Sequence, residues 1–379
     1  MNNSGEFKIF NKYKVFAPNL LSNLTLELTN DISIQLEKSA LALAKVSKIH
    51  YLIPHVDLLL AKYQIKEALL SSQIEGTQST LSEVLEYESS TQDKLNSSKD
   101  IKEVINYNHA LQFGINKLPT LPLATRLIKS IHEILMEEVR GGEINKTPGE
   151  FRTSQNWIGG SSPSNSHFNP PLYQEVNSLM SDLDNFMNNS ESKFPTLINA
   201  ALIHYQFETI HPFLDGNGRV GRILIILYLV NKKMLDKPNL YISLYFKHNK
   251  LAYYESLMKV RTSGDYNQWL LFFLKGIEEV SEAIIRNAEK VNNLMASDNK
   301  KIKTITTRTN NYRKLYEYLL QFPYISNKNK VSVELEISKT LINKIIKKFE
   351  ELGILHTDTN KKRYKQYYYK NYIDILVQE

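Results

Sequence analysis

Residues 211–222 have the sequence His-Pro-Phe-Leu-Asp-Gly-Asn-Gly-Arg-Val-Gly-Arg. A flexible glycine backbone, one acidic side chain and two arginines in so short a stretch suit chemistry on a polyphosphate. Asp215 offers the hard oxygen that Mg²⁺ prefers, and the glycines allow a tight turn whose N–H groups line an anion site. Arg219 and Arg222 can neutralise phosphate oxygens, and His211 is a base that normally titrates near neutral pH.

The segments on either side of this loop predict two helices. Residues 194–210 place apolar side chains at helical spacing, and residues 223–230 form a continuous apolar run. A loop that leads into a buried helix presents the helix's unpaired N–H groups and positive dipole end to the glycines, which favours bound phosphate. The alternative is a glycine turn between two core helices, with arginines that are merely solvated.

The loop resembles the signature of the Fic family, His-Pro-Phe-x-[Asp/Glu]-Gly-Asn-Gly-Arg-x-x-Arg, at every fixed position. The resemblance implies a protein adenylyltransferase with a mostly α-helical bundle and a β-hairpin flap. It implies that Mg²⁺ held by Asp215 bridges the phosphates of the substrate ATP. It also implies that His211 removes the proton from a Ser, Thr or Tyr hydroxyl of a target protein. The implied nucleotide contacts are Gly216, Asn217, Gly218, Arg219, Val220, Gly221, Arg222 and, by a looser alignment near the adenine, Tyr254.

A second motif, Ser-Ser-Gln-Ile-Glu-Gly, lies at residues 71–76. Ser71 and Glu75 share one helical face because they are four residues apart, and Gly76 suits a helix end. The motif matches the inhibitory pattern of Fic proteins, [Ser/Thr]-x-x-x-Glu-[Gly/Asn]. By this resemblance Glu75 pairs with Arg222 and blocks the place of the ATP γ-phosphate. A plain helix cap is the alternative interpretation.

The passage 148–171 is rich in Gly, Pro, Asn and Ser, and it predicts a β-hairpin around the turn at residues 161–166. In Fic proteins such a hairpin, the flap, holds the target's hydroxyl-bearing segment as an added strand. The resemblance places this contact near residues 157–168, and an exposed strand edge is suited to it. A surface hairpin without a partner is the alternative, and the role of Arg152 stays open.

Positive charge is concentrated at the C-terminal end. Residues 300–379 hold 17 Lys and Arg against 8 Asp and Glu, while the whole chain has a net charge of +7. This asymmetry indicates a separate module with an acidic partner. The chain has no cysteine, which is typical of a reducing compartment. With no signal-peptide pattern and no apolar run of bilayer length, a soluble cytoplasmic protein without membrane contact is expected.

The basic end itself predicts a small fold. Residues 338–355 predict a helix that Ser338 caps and Gly353 ends, and strand-like residues 366–372 follow a turn. Residues 305–379 therefore look like a winged helix-turn-helix, used for DNA or for protein contacts including dimerisation. Its predicted phosphate-facing residues are Lys339, Asn343, Lys344, Lys347 and Lys348 on the helix and Lys361, Lys362 and Arg363 on the wing.

These patterns divide the chain into an N-terminal helical region with the inhibitory helix (1–99), a Fic catalytic core (100–295) and a winged-helix module (305–379). The polar run 91–99 is expected to be a surface loop, and 296–311 a linker or a frayed helix end. The predicted activity is AMP transfer to a target protein, with possible self-modification, autoinhibited by Glu75. Two alternatives stay open: a Fic enzyme that makes another transfer or removes AMP, and a DNA-binding regulator whose Fic domain is secondary. A homodimer also stays open.

Overall fold

The computed structural model describes residues 4–49, 56–89, 98–140, 146–191, 193–305, 310–357 and 365–378. The fold is mostly α-helical, as the sequence predicts, with two small antiparallel sheets. None of the described helices is both long enough and apolar enough to cross a membrane. The helices are α1 (Asn30–Ser47), α2 (Val56–Ile74), α3 (Leu81–Ser89), α4 (Lys99–Lys117), α5 (Thr125–Leu135), α6 (Val176–Asn188), α7 (Thr196–Ile210), α8 (Asn217–Asn231), α9 (Ser243–His248), α10 (Lys250–Ser263), α11 (Asn267–Ile305), α12 (Asn310–Gln321), α13 (Lys328–Leu335), α14 (Lys339–Glu351) and α15 (Lys370–Val377).

Helices α7 and α8 form the centre of the bundle. Every residue of α7 from Leu197 to Ile210 is buried, and so is nearly all of α8. Helices α4, α5, α6 and α11 pack around this pair. A helix that is apolar on all sides needs such a shell, because each exposed face would cost hydrophobic free energy. The connection between α7 and α8, residues 211–216, is therefore held at both ends by core helices.

The N-terminus forms a β-hairpin that the sequence analysis missed. Strands β1 (Gly5–Phe10) and β2 (Tyr13–Pro18) pair in antiparallel register, with Phe10 opposite Tyr13. The two turn residues, Asn11 and Lys12, both have positive φ, as a type I′ turn requires. Expecting only helical structure here was wrong, because the alternation of this short segment suits a strand better than a helix.

Of the two expectations for residues 296–311, a linker or a frayed helix end, α11 agrees with the helix end as far as Ile305. It continues without interruption to Ile305, so residues 296–305 are helical and the expected domain boundary at 295 lies within a helix. Met295, Asp298 and Ile302 are buried along one side of this extension. Their spacing keeps one face of an otherwise polar stretch in contact with the C-terminal elements. Of the loop expected at 91–99, only Ser98, which caps α4, and Lys99, which begins it, lie within the described residues.

The C-terminal elements follow the predicted order. Ser338 caps α14 through the backbone N–H of Leu341, and Gly353 has φ +67° just beyond its end. Helices α13 and α14 form a helix-turn-helix. Strands β3 (Tyr324–Ile325), β4 (His356–Thr357) and β5 (Tyr367–Tyr368) form a sheet in the order β3-β5-β4. Lys339, Asn343, Lys344 and Lys347 are exposed and Lys348 is half-buried, whereas Lys361, Lys362 and Arg363 lie outside the described residues.

This module packs against the N-terminal region. The buried Lys66 side chain of α2 donates to the backbone oxygens of Leu376 (2.9 Å) and Gln378 (2.7 Å), at the end of α15. An ammonium group at a helix C-terminus is favourable, because the carbonyl groups there lack helical partners and carry partial negative charge. The C-terminal module is thus attached to the same helix that leads into Ser71 and Glu75.

Candidate active site

The loop after α7 begins with a constrained histidine. His211 is the residue after the helix, with φ 50° and ψ 59°, and its N–H donates to the Phe207 oxygen at 2.9 Å. A left-handed conformation is uncommon for a side chain other than glycine, and it turns the chain sharply here. Burial, with the charges of Arg152 and Arg261, lowers the pKa of His211 to about 3. The imidazole is therefore neutral at physiological pH, in the form that accepts a proton.

Asn217 braces the loop from within. Its Oδ1 accepts from the Phe213 N–H and its Nδ2 donates to the Phe213 oxygen, both at 2.8 Å. The Asn217 side chain is buried, and both its amide oxygen and its amide nitrogen are engaged by the loop backbone. Gly216 precedes α8 with φ 76° and supplies no side-chain cap. The first N–H groups of α8 are therefore a suitable anion site.

Arg219 and Arg222 lie in different surroundings. Arg219 is 4% exposed, and its Nε and Nη1 have no hydrogen-bond partner in the part of the chain that the structure describes. Its Nη2 lies 3.7 Å from Asp215 Oδ1. A buried guanidinium with unused donors is costly unless something satisfies it. These unused cationic donors make Arg219 suitable for binding an anion.

Arg222, in contrast, is fully engaged with the motif at the end of α2. Its Nε donates to Ser71 Oγ (2.7 Å), and its Nη2 donates to the Ser71 oxygen (2.9 Å) and to Glu75 Oε1 (2.7 Å). The contact between Glu75 and Arg222 that the resemblance implied is thus present. Burial favours the neutral carboxyl, but the charge of Arg222 outweighs it and lowers the pKa of Glu75. The pair is ionised at neutral pH.

Two glycines let these groups approach. A Cβ on Gly218 would meet Glu75 Oε1, so a larger residue here would require the flexible carboxylate to shift. Gly76 has φ 106° and follows Glu75 at the end of the turn. Lys250 Nζ donates to the Ile74 oxygen at 2.7 Å and caps this end of α2.

A buried polar cluster fixes α2 one turn before the motif. Glu67 accepts from Tyr107 Oη (3.1 Å), from the Ser243 N–H (3.0 Å) and from Ser243 Oγ (2.5 Å). Burial raises the pKa of Glu67 to about 7 despite these donors. Because three elements meet at this carboxyl, the helix that carries Ser71 and Glu75 has little freedom to shift.

Val220 and Gly221 lie on the buried side of α8. The Val220 side chain lies in the hydrophobic core, and its N–H donates to the Gly216 oxygen at 3.1 Å. Gly221 faces inward, where a Cβ would collide with Glu208 Oε1. Both are packing positions of α8, and their expected nucleotide contacts stay predictions. Tyr254 lies on α10, is 40% exposed and has its pKa raised by burial and by the charge of Glu75, but its predicted contact with adenine stays a prediction.

His132 is a loop-bracing residue that the sequence analysis missed. Its Nδ1 accepts from the Gly149 N–H (2.8 Å), so its Nε2 carries the proton and donates to the Asp215 oxygen (3.0 Å). The ring stacks on Phe213 with centroids 3.7 Å apart, and burial lowers its pKa to about 4. His132 therefore holds the backbone of Asp215 in place from a helix outside the motif.

Arg152, left open by sequence, is structural. Its guanidinium is buried and donates to the backbone oxygens of His211 (3.0 Å) and Pro171 (2.6 Å), and burial lowers its pKa to about 10. The predicted flap begins just after it. The hairpin is reduced to one antiparallel bridge, in which the Ile158 N–H donates to the Phe168 oxygen at 2.8 Å. Arg152 thus ties the flap to the loop.

Comparisons with known proteins match this arrangement. Residues 34–116 match the Fic/DOC family N-terminal model, and residues 122–229 match the Fic/DOC family model. The protein adenylyltransferase Fic of Drosophila grimshawi is 29% identical over 204 residues, which is 52% of this chain and 38% of that protein. Its counterpart in Drosophila mojavensis is 34% identical over 125 residues, 33% of this chain and 22% of that protein. The chain therefore spans well under half the length of these relatives.

Solved structures share the fold. A Fic family protein from Desulfovibrio desulfuricans G20 superposes with a TM-score of 0.58 at 19% identity, covering 91% of this chain and 97% of that one. Fic-1 of C. elegans gives a TM-score of 0.50 at 20% identity and covers 69% of this chain and 73% of that one. The two family models together take in about half of the chain and include both sequence motifs. The chain belongs to the Fic/DOC family.

Proposed function

We propose that this protein transfers AMP from ATP to a Ser, Thr or Tyr hydroxyl of a target protein, its own chain included, and that Glu75 restrains the transfer. The observation that carries the proposal is the buried Arg219 near the start of α8. Its Nε and Nη1 have no hydrogen-bond partner among the described residues, and its Nη2 lies 3.7 Å from Asp215 Oδ1. Together they offer cationic donors and backbone N–H groups to a chain of phosphates.

Mg²⁺ fits the same end of the loop. Asp215 has a side chain that is 44% exposed, and a single accessible carboxylate with phosphates nearby is a common Mg²⁺ arrangement. Among the described residues, no three His, Asp or Glu side chains gather into a metal cluster, so most ligands would come from ATP and water. Bound there, the ion would offset phosphate charge.

His211 is the proposed general base. The target oxygen attacks the α-phosphorus and forms the new P–O bond, while the bond from the α-phosphorus to the α,β-bridging oxygen breaks and pyrophosphate leaves with that oxygen. The hydroxyl proton passes to the neutral imidazole. Burial is the main cause of the low pKa of His211, and nearby arginines lower it further; the negative charge of a bound triphosphate would oppose the effect of the arginines and so raise this pKa.

Two other activities of the same site stay as alternatives. Another nucleotide or phosphate-containing group could be transferred, or AMP could be removed, because the loop binds phosphate through groups that do not distinguish the rest of the donor. A DNA-binding regulator is the third alternative, supported by the exposed Lys339, Lys344 and Lys347 on α14. The proposed module 305–379 would then carry the main activity.

Labelled ATP tests the proposal. The purified chain is incubated with ATP labelled at the α-phosphate, with a cell lysate as the source of targets, and labelled residues are identified by mass spectrometry. His211→Ala is expected to lose transfer by about 10²–10⁴-fold while ATP still binds, because a base acts on the hydroxyl and not on the triphosphate. ATP labelled only at the γ-phosphate should leave no label on protein. Labelling from the γ-phosphate would instead show phosphate transfer, and undiminished transfer by His211→Ala would remove His211 from its role.

A further inference from the structure

A groove of about 440 Å³ separates the N-terminal hairpin from the flap. We call it the hairpin groove; its walls are residues 7–14 of the hairpin and 163–169 of the flap, with Met258 of α10 contributing. Ile9 is 81% exposed and Phe7 is 40% exposed on the hairpin side. Single exposed apolar side chains are ordinary, but here two of them border one concave surface.

The hairpin holds these side chains rigidly. The cross-strand pairs Phe7 with Phe16 and Ile9 with Lys14 each lie on one face of the sheet, since directly opposed residues point the same way. The two-residue turn at Asn11 fixes the register, so a slip that would move Ile9 to the other face is excluded. The groove therefore presents an apolar and a cationic side chain side by side.

The groove is attached to the flap and through it to the candidate active site. The Phe16 N–H donates to the Asn169 oxygen (3.0 Å), and Asn169 Nδ2 donates to the Lys14 oxygen (2.8 Å). Phe168, in the groove wall, stacks under the Arg261 guanidinium at 3.8 Å. Arg261 in turn donates to Thr209 Oγ1 at 3.1 Å, two residues before His211. A segment lying in this groove would be close to the last turn of α7.

Charge indicates what kind of segment fits. Lys12 and Lys14 line the groove, and none of the described residues that line it carries a carboxylate. We propose that the hairpin groove docks a segment of the target protein that combines an apolar side chain with an Asp or Glu, beside the hydroxyl to be modified. This inference rests on the proposed transfer, because it assigns the partner of that same site.

Peptide binding tests the groove separately from the chemistry. The probe is a pool of peptides with one fixed Ser, Thr or Tyr and randomised flanking positions, bound to the immobilised full chain without ATP. The selected peptides are then tested by fluorescence anisotropy and, in a Glu75→Gly background, for AMP labelling. We expect enrichment of Asp or Glu with an apolar neighbour, and binding that weakens as salt is raised.

Two substitutions and two controls decide the result. Lys14→Glu should weaken binding of the acidic peptide about tenfold and shift selection towards Lys and Arg, and Ile9→Ser should remove the apolar preference. Lys38→Glu and Leu41→Ser, on exposed positions of α1, are the matched controls and should change neither. If the selected peptides show no preference for Asp or Glu, or if Lys14→Glu keeps that preference, the hairpin groove is not a docking site. Binding with the expected preference but without labelling supports the groove and overturns the transfer.

Discussion

Replacing Glu75 with glycine should raise AMP transfer, including self-modification, well above that of the wild type. Glu75 Oε1 accepts from Arg222 Nη2 at 2.7 Å, and its carboxylate lies against Gly218 in the proposed phosphate loop. Removing it frees one donor of Arg222 and takes away a negative charge that faces the triphosphate. Ser71 still holds Arg222 Nε, so the guanidinium stays in place to receive a phosphate oxygen.

The size of the effect follows from the surroundings of the pair. Arg222 is 1% exposed but the Glu75 side chain is 36% exposed, so the contact is neither a deeply buried ion pair nor a surface one. A hydrogen bond to a charged group contributes about 1.5–3 kcal/mol, and solvent at Glu75 argues for the lower half of that range. If removing Glu75 stabilises the ATP orientation from which transfer occurs by roughly 2 kcal/mol, the rate of transfer rises about 30-fold.

Incorporation of labelled AMP per molecule of enzyme is the measurement, with thermal unfolding as the check on folding. Gln73→Gly is the control for added backbone freedom at the end of α2, because Gln73 makes no hydrogen bond to Arg222; thermal unfolding measures the cost of the bond that Gln73 donates to the Ser79 oxygen. Glu75→Gln, which keeps the size and loses the charge, should give an intermediate rate. If well-folded Glu75→Gly labels no faster than wild type or Gln73→Gly, the motif at 71–76 is an ordinary helix end and autoinhibition is refuted.

Three further results are expected. Asp215→Ala should shift the Mg²⁺ concentration that gives half-maximal transfer upwards by at least tenfold; an unchanged midpoint would place the metal elsewhere. His132→Gln can still donate to the Asp215 oxygen, so it should keep the Mg²⁺ concentration for half-maximal transfer within about threefold, whereas His132→Asn should raise it. Equal Mg²⁺ midpoints for the two variants would show that His132 does not brace the loop. If the module contacts nucleic acid, the full chain should bind duplex DNA, and a plot of the logarithm of the binding constant against the logarithm of the salt concentration should have a slope near −0.9 per phosphate contacted. A gel shift that Lys344→Glu leaves unchanged at every salt concentration would favour protein contacts.

The residues that sequence alone identified are those whose chemistry is local. His211, Asp215 and Arg219 lie within nine residues of sequence, so their types and spacing alone predict phosphate chemistry. His132 and Arg152 were missed or left open because their partners are 83 and 59 residues away, and only the packed fold brings them to the loop. A lone histidine or arginine in a helix or a loop carries no local signal of such a contact.

The errors in the fold have physical causes as well. Apolar and polar side chains alternate around a two-residue turn in residues 7–16, Phe-Lys-Ile-Phe-Asn-Lys-Tyr-Lys-Val-Phe. This pattern indicates a hairpin, but the helical pattern further along the chain outweighs it in so short a segment. The extension of α11 was hidden because only Asp298 and Ile302 of residues 296–305 are buried, one of them a charged residue. Tertiary contact, and not local apolar periodicity, stabilises that end of the helix.

The two arginines at the start of α8 suggest how the proposed inhibition and nucleotide binding coexist. Arg219 has two donor nitrogens with no partner among the described residues, whereas Arg222 has its Nε and Nη2 occupied by Ser71 and Glu75. A triphosphate can therefore still bind through Arg219 and the first N–H groups of α8 while Glu75 occupies Arg222. Under the proposed function, Glu75 affects the orientation of the bound phosphates more than the affinity for ATP. Loss of Glu75 should then change the rate of transfer far more than the affinity for ATP, because the freed Arg222 donor and the removed charge act on the placement of the phosphates, whereas the contacts with Arg219 are the same with and without Glu75.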